Sequence, residues 1–330
     1  MARAEVGDDV FREDPTVRRL EEKAAALLGK QAALFVPTGT MGNQIAVNVW
    51  TRPGQEVILE ERSHILNYEM GAMSVISGAL PRALPGQRGA LTADAVRRAI
   101  RPAVYYLART GLVALENTHN MAGGPIFPQP EAEAICDLAR GQGIPVHLDG
   151  ARLFNAAVAS GRGAAELARP FDSVMFCLSK GLGAPVGSLL AGARDFIDEA
   201  LRVRKRLGGG MRQSGVLAAA GLVALEQNVA RLAEDHAHAR RLAGRLASFP
   251  GLSVDPGRVE TNILIFEVAG PGLDAPGLVE RWKESGVLSL ALDDRQVRVV
   301  THYDVSRTQI DAAADRLETI LSRAARAPRG

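Results

Sequence analysis

Two short motifs carry residue types that could do chemistry together: His147-Leu148-Asp149-Gly150-Ala151-Arg152 and Cys177-Leu178-Ser179-Lys180-Gly181-Leu182-Gly183. An acid closing a β-type run can keep a pyridine nitrogen protonated, and a lysine in a small turn can form a Schiff base with an aldehyde. Asp149 and Lys180 thus read as the two anchors of pyridoxal phosphate. The chain has only five lysines, at 23, 30, 180, 205 and 283, and four of them sit among charged or polar neighbours. Lys180 instead follows the apolar run Val174-Met175-Phe176-Cys177-Leu178 and is bracketed by Ser179 and Gly181. Partial desolvation in such a setting leaves a useful fraction of the amine neutral and nucleophilic. The plain alternatives are a turn lysine and a helix-capping aspartate.

Further polar groups gather around this pair. Pro37-Thr38-Gly39-Thr40-Met41-Gly42-Asn43 joins a strand to a helix, so its backbone amides should offer an anion site at the helix start. Many turns share that composition, and alone the signal is weak. Arg152, three residues after Asp149, could face the same crevice, near a ring hydroxyl or a substrate carboxylate. His64, in Arg62-Ser63-His64-Ile65-Leu66-Asn67-Tyr68-Glu69, could stack on a flat ring or act as a base, with a hydrogen-bonded surface histidine as the plain reading. Glu116-Asn117-Thr118-His119-Asn120 presents polar groups at another strand end. His147, His236 and His238 read as structural. Gly181-Leu182-Gly183 lacks the spacing and the acidic partner of a dinucleotide motif. The basic run Arg202-Val203-Arg204-Lys205-Arg206 reads by default as a solvated helix end.

These groups need a scaffold that brings strand ends together. Apolar runs at 32–36, 56–59, 112–116, 145–149, 173–178 and 188–191 read as strands, and amphipathic stretches at 41–49, 92–100 and 131–140 as helices, with Thr92 as an N-cap. Such alternation predicts an α/β fold built on a mainly parallel sheet, whose carboxyl strand ends hold functional groups. From 194 to about 249 the pattern is helical. Strand-like runs at Val254, 263–266, 287–290 and 297–300 then alternate with helices near 277–284 and 306–324. We therefore expect a large domain over residues 1–230 and a smaller C-terminal α/β domain over 231–330.

Composition narrows the partners. Of the 330 residues, 47% are hydrophobic and 23% charged, with a formal net charge of +2, and no basic cluster interleaves with aromatics, which argues against nucleic acid. Cys136 and Cys177 lie in apolar runs and read as packed thiols of a reducing compartment. No zinc spacing, membrane-length apolar stretch or signal-peptide core is visible. The expectation is a cytoplasmic protein acting on a small molecule, with no membrane partner.

The ordered set Val6-Gly7-Asp8-Asp9-Val10, Glu13-Asp14-Pro15, residues 37–43, 116–120, 147–155 and 177–187, Gly208-Gly209-Gly210-Met211-Arg212-Gln213-Ser214-Gly215 and Val300-Thr301-His302-Tyr303-Asp304-Val305-Ser306 resembles the low-specificity L-threonine aldolases. The resemblance implies a pyridoxal phosphate enzyme of fold type I, assembled as a homotetramer of two intimate dimers. It makes Lys180 the Schiff-base lysine, Asp149 the pyridine-nitrogen partner and His64 the residue stacked over the ring, and it puts the phosphate on Gly39, Thr40 and Met41. Arg152 and Arg298 match the arginines that hold the substrate carboxylate. His119 and Tyr68 match residues beside the substrate hydroxyl, while Lys205 and Arg212 match positions at the subunit interface near the site.

The implied reaction splits a β-hydroxy-α-amino acid such as L-threonine or L-allo-threonine into glycine and an aldehyde. His64, His119 or a water held by them could be the base. A transaminase or a β-eliminating lyase would share Asp149 and Lys180, and a non-catalytic relative would share the fold. Two departures stand out: Phe11-Arg12 replaces the usual Tyr-Gly, and the family's upstream segment with Leu-Arg-Ser-Asp-Thr has no counterpart before Val6. The corresponding expectation is that Met1 matches an internal methionine of a longer family sequence.

Overall fold

The structure is a computed structural model that describes residues 1–270 and 273–326. Two compact units make up the chain: one comprises Met1–Met121 with Ile126–Ala230, the other Ala122–Pro125 with the chain from Arg231 onward. The first unit therefore departs from one continuous run over 1–230, because four residues of the loop after the fourth strand pack with the second unit.

In the first unit seven strands form one sheet: β1 (Ala32–Val36), β2 (Glu56–Glu60), β3 (Leu80–Leu84), β4 (Thr110–Glu116), β5 (Val146–Asp149), β6 (Ser173–Cys177) and β7 (Ser188–Gly192), in the order β1-β7-β6-β5-β4-β2-β3. The neighbours β3-β2-β4-β5-β6 run parallel, and β7 lies antiparallel to both β6 and β1. Strands β2, β5, β6 and β7 are buried along their whole length, the pattern of a sheet covered on both faces. The edge strand β3 escapes a hydrophobic reading because it is half exposed and contains Pro81, which only an edge tolerates.

Helix α1 (Pro15–Leu28) shows how the recurring N-terminal motifs act. Asp14 caps it, accepting from Thr16 N and Val17 N through Oδ1, while Oδ2 accepts from Gly7 N at 3.2 Å and Gly215 N at 2.8 Å. A Cβ on Gly215 would meet Asp14 Oδ1 at 2.4 Å, so the glycine is what lets the capping acid reach a second helix. Nearby, Arg204 is buried, pairs with Asp9 at 2.9 Å and donates to the Phe35 carbonyl at 2.7 Å. The basic run is thus not simply a solvated helix end.

The second unit carries the antiparallel sheet β10-β11-β9-β8, from β8 (Leu252–Ser253), β9 (Ile263–Val268), β10 (Leu290–Ala291) and β11 (Gln296–Val300). The strand expected at 287–290 shrinks to Leu290–Ala291, since only these residues find partners on β11. Val254 falls just past β8. The core here gathers Phe266, Leu278, Trp282, Val297 and Leu317, and the buried Trp282 indole donates to the Ala313 carbonyl at 3.1 Å. No single helix among the described residues is long and apolar enough to cross a membrane.

The capping acid yields a stability test. Asp14→Ala removes an ionised acceptor from four backbone amides and should cost about 3 kcal/mol, charged hydrogen bonds being worth more than neutral ones. A urea midpoint that fails to move would contradict this role.

Candidate active site

The site grows from three neighbouring strand ends. Asp149 ends β5 and stands in register with Glu116 at the end of β4 and Met175 on β6. Five residues past Met175, Lys180 sits in the tight turn that Gly183 N closes on the Lys180 carbonyl at 2.9 Å. Parallel strands deliver all these groups to one edge of the sheet.

Asp149 is nearly fully buried. Its Oδ1 accepts from Ala151 N at 3.1 Å and its Oδ2 from Asn43 Nδ2 at 2.9 Å. Asn43 lies on α2 (Gly39–Trp50), which approaches β6 closely: a Cβ on Gly39 would meet Cys177 Sγ at 2.8 Å, and one on Gly42 would meet Met175 Cγ at 2.7 Å. Asn43 also donates to Glu69 Oε1 at 2.8 Å, and Glu69 pairs with His64 Nδ1 at 2.8 Å. The ligating atoms of His64, Glu69 and Asp149 all lie within 4.8 Å of one another.

His64 opens α3 (His64–Asn67), and its backbone N–H donates to Glu116 Oε2 at 2.9 Å. Its ring is half-buried. The hydrogen bond to Glu69 is the main force holding its pKa above the ordinary value, helped by Asp149 and Glu69 charge and opposed by burial and Lys180. The Tyr68 ring lies 5.7 Å away, tilted by 35°, with its hydroxyl 3.2 Å from Met121 Sδ. His64, Tyr68, Asp149 and Lys180 are therefore brought together.

His119, which the resemblance sets beside the substrate hydroxyl, lies in the loop just after β4. It is buried, with Nε2 at 2.9 Å from Glu60 Oε2 and 3.9 Å from Glu116 Oε2. Gly89, at φ +80°, covers it: an added Cβ would stand 2.3 Å from His119 Cγ. Burial pushes its pKa down, yet the Glu60 hydrogen bond and the Glu116 and Glu60 charges outweigh this and leave it raised. Burial, with the nearby Asp149 charge, drives Glu116 upward against the pull of His119.

The turn expected to hold the phosphate opens α2. Thr38 caps α2 and its Oγ1 accepts from Met41 N at 3.1 Å, so the Met41 amide is already used; the first-turn amides of Gly39 and Thr40 keep no helical acceptor. Arg152 donates to Asn120 Oδ1 at 3.1 Å; burial is the main force lowering its pKa, opposed in part by the nearby Glu116 and Asp149. Lys205 lies in the last turn of the helix Arg194–Arg206, beside Gly210, and Arg212 pairs with Asp8 at 2.6 Å. Arg298 belongs to the second unit, on β11 opposite Leu290 and Ile265. Sequence reasoning missed Asn43, Gln44, Glu60 and Glu69, although Glu69 stands five residues after His64 in the same motif.

The donor set fits pyridoxal phosphate. A buried carboxylate with two fixed donors remains an acceptor for a ring N–H, free first-turn amides suit a phosphate, and Lys180 is the amine within electrostatic range of His64. The beta-eliminating lyase family matches residues 1–270. Low-specificity L-threonine aldolase 1 of Arabidopsis thaliana is 44% identical over 94% of this chain and 88% of its own length. The low specificity L-threonine aldolase of Escherichia coli K12 is 43% identical over 98% and 94%.

The chain belongs to the low-specificity L-threonine aldolase family. The threonine aldolase of Leishmania major, at 21% identity, superposes with a TM-score of 0.79 over 97% of this chain and 92% of its own, which shows the shared fold. This aldolase fold is the fold type I of pyridoxal phosphate enzymes, with its large, mostly parallel seven-stranded sheet.

Within the aldolase site, His147 lies beneath Asp149, with Nε2 at 3.1 Å from Asn43 Oδ1 and Nδ1 at 2.9 Å from Ser173 Oγ. Burial pushes its pKa down to about 4. An unfolded histidine titrates near ~6.5, so between these values the unfolded state takes up a proton that the folded state refuses. The contribution of His147 to stability is therefore complete above that window and declines as the pH falls through it. Unfolding midpoints measured from pH 7 to 4 should show wild type losing more stability than His147→Gln, by a slope approaching ~1.4 kcal/mol per pH unit; parallel curves would refute it.

Proposed function

We propose that this chain cleaves β-hydroxy-α-amino acids, L-threonine and L-allo-threonine among them, to glycine and an aldehyde. The observation that carries this reading is the juxtaposition of Asp149, His64 and Lys180 at one sheet edge in a chain 42–44% identical to proteins named as low-specificity L-threonine aldolases. When bound, pyridoxal phosphate supplies an electron sink for the bond broken at the substrate Cα.

The residues supply everything else. Lys180 offers the amine that holds the cofactor aldehyde, Asp149 the carboxylate that keeps the ring nitrogen protonated, and Gly39 and Thr40 the amides for its phosphate. Arg152 presents a guanidinium for the substrate carboxylate, and anchoring that group sets which bond at Cα is aligned for cleavage. The matching role of Arg298, and those of Lys205 and Arg212 at a subunit interface, rest on the family resemblance.

Between the two histidines, the structure favours His64 as the acceptor of the hydroxyl proton, directly or through a water. Its ring is partly exposed and Nδ1 is engaged with Glu69, which leaves Nε2 to exchange protons. The His119 ring is shut behind the Gly89 turn. Tyr68 beside His64 would line the side-chain pocket.

We further propose a homotetramer of two dimers, supported by the family resemblance and by the exposed Met70, Val75 and Ile76 near the site, which a second subunit would cover. A cytoplasmic location is supported by two buried free cysteines, Cys136 and Cys177, which a reducing compartment preserves.

L-Threonine incubated with the loaded enzyme should give equal amounts of glycine and acetaldehyde with no keto acid added. Lys180→Ala should abolish the reaction, and Asp149→Asn should lower kcat by ~10²-fold or more, as expected when a preorganised charge is removed from a reaction centre. A need for a keto acid would point to a transaminase. Sedimentation at a mass other than four chains would refute the tetramer.

A further inference from the structure

Glu69 has a wholly buried side chain and accepts three hydrogen bonds, from His64 Nδ1 at 2.8 Å, Asn43 Nδ2 at 2.8 Å and Gln44 Nε2 at 2.6 Å. Counting protons along this network fixes every direction in it. Asn43 Nδ2 gives one proton to Glu69 and the other to Asp149, since the reverse amide orientation would aim an oxygen at two carboxylates. Asn43 Oδ1 is then an acceptor, so His147 carries its proton on Nε2.

At the other end the Trp50 indole, a donor only, gives its proton to Ser173 Oγ at 2.8 Å. The Ser173 hydroxyl is left to donate to His147 Nδ1, which suits a neutral imidazole. From Trp50 through Ser173 and His147 to Asn43 each proton points the same way, and bonds aligned so polarise one another. The chain ends on Asp149 and Glu69 together. With Asn43 Nδ2 donating to Oε1 and Gln44 Nε2 to Oε2, both Glu69 oxygens are placed as acceptors, so the proton on the His64–Glu69 contact belongs to His64 Nδ1, and Nε2 is the one ring nitrogen whose protonation can change.

We propose that Glu69 is a positioning residue: it pins His64 as the Nδ1-protonated tautomer and, through Asn43, links it by hydrogen bonds to Asp149. The inference rests on the threonine-cleavage reading for its kinetic consequence, though the tautomer stands apart from it. When His64 Nε2 takes the hydroxyl proton of the substrate, an O–H bond breaks, an N–H bond forms, and the cation created already has its other N–H on a carboxylate. A carboxylate behind a histidine base acts in this way in hydrolytic triads, by orientation and charge rather than by taking the proton. The charged groups facing His64 are Glu69 itself, Asp149 from β5 and Lys180 from the turn after β6, with Glu116 of β4 on its backbone N–H.

The test is solid-state ¹⁵N NMR on histidine-labelled protein, with and without cofactor, His64 being assigned by loss of its signals in His64→Asn. Wild type should show Nδ1–H and a bare Nε2 above the His64 pKa; an Nε2–H tautomer in wild type overturns the proposal without recourse to any variant. Glu69→Gln should let Nδ1 become an acceptor, shift the tautomer toward Nε2–H, lower the His64 pKa by about one unit or more and reduce kcat by ~10²-fold with KM within about threefold. Glu69→Asp should recover most of the tautomer and part of kcat. An unchanged tautomer and pKa in folded Glu69→Gln, or a kcat within about threefold of wild type, would also overturn it. Failure of wild type to make glycine from threonine would count against the functional reading, while the His64 tautomers of wild type and Glu69→Gln, read without any turnover, bear on this one.

Discussion

The structure turns on one amide. Asn43 stands between two buried carboxylates, Glu69 and Asp149, which lie within 4.8 Å of each other. At an effective dielectric of about 20, two such charges repel by roughly 3 kcal/mol, enough to protonate one of them if nothing intervened. Asn43 gives each a proton, and Gln44, Ala151 N and His64 add three more donors. Both acids thus have donors on their oxygens, the setting in which Asp149 can accept from a ring N–H and Glu69 from His64. The amide can stand there only because α2 lies tightly on β6, and that approach requires the glycines at 39 and 42 where any side chain would strike Cys177 or Met175. Gly39, which reads as a phosphate-binding residue, therefore also helps to place the amide that holds Asp149.

How much of this was legible in the sequence depends on the range of the interaction. Strands β1, β2, β5, β6 and β7 announced themselves as apolar runs because a doubly covered parallel sheet leaves no polar face to blur the signal. Asp149 and Lys180 were readable because their chemistry is carried by the residue and its immediate neighbours. Glu69 and Asn43 were not, although both lie inside motifs that stand out: their partners are 26 and 106 residues apart in the chain, and only the docking of α2 makes the triple contact. Likewise β3 stayed hidden because an edge strand with Pro81 loses the hydrophobic period, and the segment at 287–290 promised more strand than two paired residues deliver. The motifs around Asp8, Asp9 and Asp14 marked the family, yet their physical work is capping and ion pairing.

The two histidines near the strand ends show why a residue type alone could not assign a base. Each pairs with a carboxylate and each is held above its ordinary pKa, but the balance differs. For His64 the Glu69 bond outweighs a modest burial, and the ring keeps one side toward solvent. For His119 burial is the larger effect and is overcome only by two acids at once, Glu60 and Glu116, beneath a turn whose Gly89 leaves no room for a side chain. A proton acceptor must exchange protons with its substrate during each turnover, and a ring sealed by backbone cannot do so without moving that backbone. His119 instead joins two acids by geometry, its Nε2 lying 2.9 Å from Glu60 Oε2 and 3.9 Å from Glu116 Oε2. The same side chain, with the same kind of partner, is thus open to solvent in one place and closed in the other, and the accessibility of the ring separates the two.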